Sequence, residues 1–400
     1  MTGLLIAGGR IVDPANSLDA LRDLRVRDGA VIEIGEHLEP QAGEMAIDAA
    51  GTIVTPGLVD MHVHLREPGF PAKERIETGT EAALRGGFTS VACMPNTAPA
   101  IDDPAILMSL KDDIERRARC RVYPIAAITR GRRGAEPCDF AALARVGAVA
   151  FSDDGDTVKD LRVLREAALL AQALKPPFIS HCEPEDETVA RDLAIAGEIG
   201  KSWHIAHVTT RGALDAIRAA RARGVRATCE ATPHHLNCTR DAAARELGPA
   251  ARVNPPLRDE DDVAALRAAV RDGTIDAFAS DHAPHSDREK RATEGAAPGF
   301  TGLEIAVGAY AAALPDLPMT RFIELIATNP ARILGLRAGT LSIGAPADVT
   351  ILADRAWTVD PATFASLGKC TPFAGSTLPR KVLATIVGGE LRYRAVDLAA

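Results

Sequence analysis

A chain of 400 residues with 46% hydrophobic and 25% charged side chains has ample apolar material for a core and exceeds one ordinary domain. Its net charge of −8, with no basic tract to offset it, argues against nucleic acid as a partner, and no uninterrupted apolar run is long enough to span a membrane. The seven cysteines are scattered and form no CxxC pair, which suits reduced thiols in a cytoplasmic protein rather than a disulfide framework.

The N-terminal MTGLLIAGGRIVDP has no basic region before its short apolar run, so no signal peptide is expected. Short strands are predicted at 4–7, 10–12, 24–26 and 31–34, with Asp28-Gly29 as a hairpin turn. From residue 58 onward strand-like and helix-like stretches alternate. Strands are predicted at 58–63, 89–94, 122–128, 148–152, 177–181, 203–208, 225–229 and 275–280, and helices at 78–85, 159–174, 211–223 and 260–270 among others. The glycine-rich stretch 294–302 reads as a loop. Strands return at 339–343, 347–352, 382–387 and 390–393, with Gly388-Gly389 as a second hairpin turn.

Repeated βα units of this length predict an α/β chain in which residues 55–339 close as a (β/α)8 barrel. Residues 1–54 and 340–400 are each too small to stand alone, so they are expected to build one composite β-sandwich. An open doubly wound sheet is the competing architecture, but no GxGxxG follows an early strand.

His62 and His64 sit at i and i+2 on a strand, so both imidazoles face the same side and can reach one metal ion. Further metal-capable residues fall at the ends of later predicted strands: FSDDG (151–155), SHCE (180–183), HIAHVTT (204–210) and SDHAPH (280–285). In a barrel those strand ends converge on one mouth. Arg66, two residues beyond His64, shares its strand face and is a candidate for an anionic substrate.

These segments, with GLVDMHVHLREPG (57–69), CMPNT (93–97), TPHHL (232–236), VNPPLR (253–258), Glu289-Lys290, ATNPARILGL (327–336) and GxLxxGAPADVTIL (339–352), resemble the amidohydrolase superfamily, and within it the bacterial type I dihydroorotases. The resemblance implies a site for two metal ions, usually zinc. His62 and His64 would hold the first, with Asp281 near it, and His181 and His207 the second. Asp154 matches the bridging carboxylate, with its neighbour Asp153 as the alternative. Hydantoinases and allantoinases place a carbamylated lysine there, and Lys159 lies past the motif, where it reads as a helix-surface residue. His234 is the alternative to His207, while His204 has the opposite strand parity and reads as structural.

The implied activity is reversible hydrolysis of dihydroorotate to N-carbamoyl-L-aspartate in pyrimidine synthesis, with Asp281 as general base and then acid. Arg66, Asn96 and His285 would hold the substrate carboxylate, and Asn254 with the backbone around Gly299 and Phe300 would contact the ring. A homodimer and an aspartate transcarbamoylase partner are further implications. The other readings are a different cyclic-amide hydrolase, of the dihydropyrimidinase or allantoinase kind, and a non-catalytic scaffold for the transcarbamoylase. Against the usual pattern, the stretch between His181 and His207 is shortened.

Overall fold

The computed structural model describes residues 3–396 and Leu398; the remaining terminal residues of the expected composite unit lie outside the described residues. Both ends of the chain meet in one eight-stranded sheet. Its order is Glu390–Arg394, Lys381–Val387, Val349–Ala353, Ile53–Pro56, Gly3–Asp13, Leu18–Arg27 and Ala30–Gly35, with Glu44–Asp48 pairing beside Gly3–Asp13. The two expected hairpin turns are there for the expected reason. Asp28 and Gly29 have φ of 51° and 77°, and Gly388 and Gly389 have 57° and 80°, the left-handed pairs that a two-residue turn requires. Val349, Ile351 and Ala353 face a separate apolar cluster with Leu4, Ile6, Val26 and Leu383. On the opposite face, Leu352 joins the central core, and Thr350 donates to the Gly87 carbonyl at 2.6 Å.

Two terminal expectations change. The strands at 4–7 and 10–12 are one strand, Gly3–Asp13, whose register against Leu18–Arg27 shifts between Ile6 and Gly9; Gly8, at φ 75°, absorbs the irregularity. Residues 339–343 are not a strand. The Leu341 N–H that a neighbouring strand would take is bound at 2.7 Å by the Asp13 carboxylate.

The central segments pair in parallel. Leu58–Val63, Phe88–Cys93 and Arg121–Pro124 form one sheet, and Phe178–Ser180, Trp203–Ile205, Ala227–Ala231 and Ala277–Phe278 another. Single parallel bridges join them: Ala126 to Phe151, Phe151 to Phe178, and His282 back to Val63. The expected strand at 148–152 is thus reduced to a bridge on each side of Phe151. It ends there because the Asp153 carboxylate takes the Ile128 and Thr129 N–H groups, which would otherwise extend the ladder.

Helices cover these strands and begin at side-chain caps. Asp160 caps Leu161–Leu170, Thr210 caps Arg211–Ala222 and Asp259 caps Glu260–Arg271, each accepting an otherwise unpaired N–H of the first turn. Lys159 is exposed just ahead of the first of these helices rather than on it. The shortened stretch is closed directly: the helix Glu185–Ile199 starts four residues after His181. Its first residue, Glu185, is buried and accepts from the Thr209 and Thr210 N–H groups at 2.7 and 3.1 Å. That carboxylate ties the start of one helix to the turn just beyond His207. No helix among the described residues is long and apolar enough to cross a membrane.

Candidate functional site

His62 lies at the end of the strand Leu58–Val63 and His64 directly follows it, both buried, and each is fixed by a partner on its far ring nitrogen. His62 Nδ1 donates to Glu230 Oε1 at 2.7 Å, and His64 Nδ1 donates to Asn96 Oδ1 at 2.9 Å. With Nδ1 carrying the proton, the Nε2 lone pair of each ring is turned toward the acids. His62 Nε2 lies 3.3 Å from Asp154 Oδ1 and 3.6 Å from Asp281 Oδ1. His64 Nε2 lies 3.6 Å from Asp154 Oδ2 and 3.2 Å from Asp281 Oδ1. On the other side of Asp154, His181 Nδ1 and His207 Nε2 are each 3.7 Å from Oδ1 and 3.0 Å from one another.

Six expected residues therefore converge, with Asp154 common to two groups, His62–His64–Asp154 and Asp154–His181–His207. Asp154 rather than Asp153 stands at the centre, because the Asp153 carboxylate is consumed by Ile128, Thr129 and the Thr129 hydroxyl. His234 is buried beside the cluster, its ring 5.5 Å from Phe300, but it joins neither group.

The cluster fits divalent metal. Donors about 2.0–2.1 Å from a tetrahedral cation lie about 3.3–3.4 Å apart, close to the spacings above. His62 Nε2 and Asp154 Oδ1 are buried with no hydrogen-bond partner, a costly arrangement unless a positive charge sits between them. The acids are held ionised. Burial alone would raise the Asp281 pKa, but the imidazoles of His64, His62 and His207 around it bring it well below the usual carboxylate range. Asp154 is lowered likewise by His62 and His207 against its burial.

Three site residues have left-handed backbones without being glycine: Arg66 at φ 61°, His207 at 33° and Asp281 at 46°. Such conformations cost about 1–3 kcal/mol each and persist only where the surroundings fix them. Asp60, fully buried beneath the site, does part of this for Asp281. Its carboxylate accepts from the His62 N–H at 3.1 Å and the Ser280 N–H at 3.2 Å, locking the two strand ends together. Burial pushes its pKa up to about 7.

Beyond the cluster lies a cleft of about 160 Å³ lined by Arg66, Asn96, Asn254, His285, Pro298 and Gly299 as well as the metal-capable residues. That is below the ~300 Å³ where drug-sized pockets begin, so it suits a single small ring. Arg66 Nε donates to the Pro284 carbonyl at 3.2 Å, and its Nη2 lies 3.2 Å from His285 Nε2. Burial, with Arg66 and Lys73 alongside, pushes the His285 pKa down to about 3, so this ring is neutral between two cations. Asn96 has a second contact, donating from Nδ2 to Asp154 Oδ2 at 3.2 Å, and the Asn254 amide lies 3.1 Å from His181 Nε2. Phe300 stands behind the cleft, its ring against His234, while Gly299 lines it.

Sequence reasoning missed Glu230. This fully buried carboxylate bridges His62 and His204, whose Nε2 donates to Oε2 at 3.1 Å, and it also accepts the His207 N–H at 3.3 Å. It orients one metal-capable imidazole from each group, and His62 and His204 hold its pKa down to about 2 despite burial. His204 thus serves the site through Glu230. The available signal was an acid set among apolar residues in the strand Ala227–Ala231.

The chain matches the amidohydrolase family over residues 53–392. The dihydroorotase of Pelotomaculum thermopropionicum is 45% identical over 421 aligned positions, covering 97% of this chain and 98% of that one. The dihydroorotase of Citrifermentans bemidjiense is 41% identical over 423 positions, covering 98% and 100%. Both alignments are longer than the 400-residue chain, so these relatives carry residues that it lacks. Among solved structures, L-hydantoinase (dihydropyrimidinase) from Arthrobacter aurescens gives a TM-score of 0.90 at 24% identity, covering 100% of this chain and 98% of that one. D-hydantoinase (dihydropyrimidinase) from Thermus sp. gives 0.88 at 24%, covering 99% and 96%, a likeness of fold. The chain belongs to the amidohydrolase family, among its dihydroorotases.

Proposed function

We propose that this protein is a dihydroorotase, interconverting (S)-dihydroorotate and N-carbamoyl-L-aspartate. The observation that carries the reading is one cleft in which a carboxylate-centred imidazole cluster stands next to a half-buried guanidinium, Arg66. A ring amide beside a carboxylate needs both. The parallel pairings that return to their starting strand through eight segments support a (β/α)8 barrel over 55–339. The separate apolar cluster of the terminal sheet supports a composite β-sandwich from 1–54 and 340–400.

We assign His62 and His64 to one zinc ion, His181 and His207 to a second, Asp154 to both and Asp281 to the first. What the pair supplies when bound is a water acidic enough to act as a nucleophile near neutral pH and a polarised carbonyl oxygen. Asp281, kept ionised by its imidazole neighbours, takes the proton from the attacking water and returns it to the ring nitrogen as the C–N bond breaks. In cyclisation the same carboxylate removes a proton from the carbamoyl nitrogen. Arg66 orients the substrate carboxylate by a charge-assisted pair, with Asn96 and His285 beside it, while Asn254 and the backbone at Gly299 and Phe300 hold the ring.

Arg66→Met is expected to raise KM for dihydroorotate about 10–100-fold, since a hydrogen bond to a charged group contributes about 1.5–3 kcal/mol. The wild type should prefer dihydroorotate to dihydrouracil, which has no carboxylate, and the variant should lose most of that preference. Steady-state kinetics on both substrates reads this directly. Unchanged kinetics in the variant would place the anion elsewhere, and a wild type preferring dihydrouracil would favour a dihydropyrimidinase.

A further inference from the structure

Glu289-Lys290 closes a four-residue helix, Asp287–Lys290, that follows the Asp281 strand end. Lys290 is only 2% exposed, yet among the described residues it makes no ion pair. Its Nζ donates to two main-chain carbonyls, Arg252 at 3.0 Å and Ala297 at 2.9 Å, and lies 5.0 Å from the centre of the Phe300 ring. Burial lowers its pKa. A buried ammonium without an anion is a poor way to stabilise a fold, so its geometry is what calls for explanation.

Both carbonyls belong to segments that carry cleft-lining residues, Asn254 in one and Pro298 and Gly299 in the other. Arg252 precedes Asn254 by two residues, and Ala297 precedes Gly299 by two. The walls also join directly: the Gly299 N–H donates to the Arg252 carbonyl at 3.1 Å, and Arg252 Nη1 donates to the Ala296 carbonyl at 3.1 Å. The second wall has no slack toward the cluster. Gly299 has φ 141°, and a Cβ there would fall 2.4 Å from the Ala283 carbonyl oxygen. The Ala283 N–H is bound to the Phe300 carbonyl at 2.8 Å, so the wall is fastened to the strand end that carries Asp281. Glu289 braces the opposite end through Lys73, at 2.9 Å, whose Nζ is 3.5 Å from His285 Nδ1.

We infer that Lys290 is a positioning residue for substrate: it clamps the Asn254 and Gly299 walls at the separation that grips the ring, and so governs ring binding rather than metal binding or the chemical step. This rests on the dihydroorotase reading for the identity of the ring, but the clamp can be read without turnover.

The test compares full-length, metal-loaded wild type, Lys290→Met and Lys290→Arg. Lys290→Met should raise KM for dihydroorotate about tenfold with kcat within about threefold of wild type and unchanged metal content, as loss of uniform binding requires. Amide hydrogen exchange should quicken in 252–256 and 296–301 and stay unchanged in distant helices. Lys290→Arg, which keeps the charge and donors, should recover most of both effects. Unchanged exchange in those two segments, or a loss of kcat and metal in step with melting temperature, overturns the clamp. Wild type that shows the protected segments but no dihydroorotate turnover overturns the dihydroorotase reading instead, and the exchange comparison still decides the clamp.

Discussion

Replacing Asp281 with asparagine is expected to lower dihydroorotate turnover by about 10²–10⁴-fold, the contribution of a positioned general acid–base group, while leaving the fold and most of the metal in place. The amide matches the carboxylate in size, so the N–H groups anchored to Asp60 and the bridge from His282 to Val63 have no reason to move. What disappears is a basic oxygen. In the native protein the surrounding imidazoles keep that oxygen ionised despite complete burial. An amide neither takes a proton from water nor returns one to a departing nitrogen. Stopped or steady-state assays in both directions should show the loss alike, because one group serves both. Turnover near the wild-type level would remove Asp281 from proton transfer.

The second large effect is expected at Asp154. It is the one residue shared by the two groups of metal-capable side chains among the described residues, and His62, His64, His181 and His207 all lie within 3.7 Å of its oxygens. Asp154→Ala should reduce bound metal to less than half of the wild-type content and take activity below detection. Four imidazoles would then share a buried space with the anion between them gone, so the charge that offsets a pair of cations is missing. Elemental analysis of the purified variant measures this. Full metal content would show that the bridge is made by another group.

Much of the site was readable because strand spacing converts directly into shared faces. His62 and His64 follow from a period of two, and the segments that hold Asp154, His181, His207 and Asp281 follow from the convergence of parallel strands, whereas Arg66 stands beyond the strand Leu58–Val63 on a left-handed backbone that the alternation does not reach. The choice between Asp153 and Asp154 was not readable from spacing. It depends on which carboxylate the 128–129 backbone captures, a tertiary contact. Glu230 escaped notice for a similar reason: its role lies in facing His62 and His204 across neighbouring strands. The same holds for His282, whose Nδ1 accepts from Gly302 and whose Nε2 meets the buried Glu74 at 3.2 Å, steadying the residue next to Asp281. In the terminal sheet, Gly8-Gly9 has the composition of a turn. Pairing along the full length of Leu18–Arg27 keeps it in a strand instead. The shortened stretch after His181 cost no metal-capable residue, because Glu185 docks directly on Thr209 and Thr210.

The most direct test is the metal content of the wild-type protein, measured together with dihydroorotate turnover before chelation, after it and after zinc is restored. Two cations per chain, with activity lost on stripping and regained on reloading, is the result this structure predicts. A metal-free protein that still opens the ring, or one that binds both cations and never does, would contradict it.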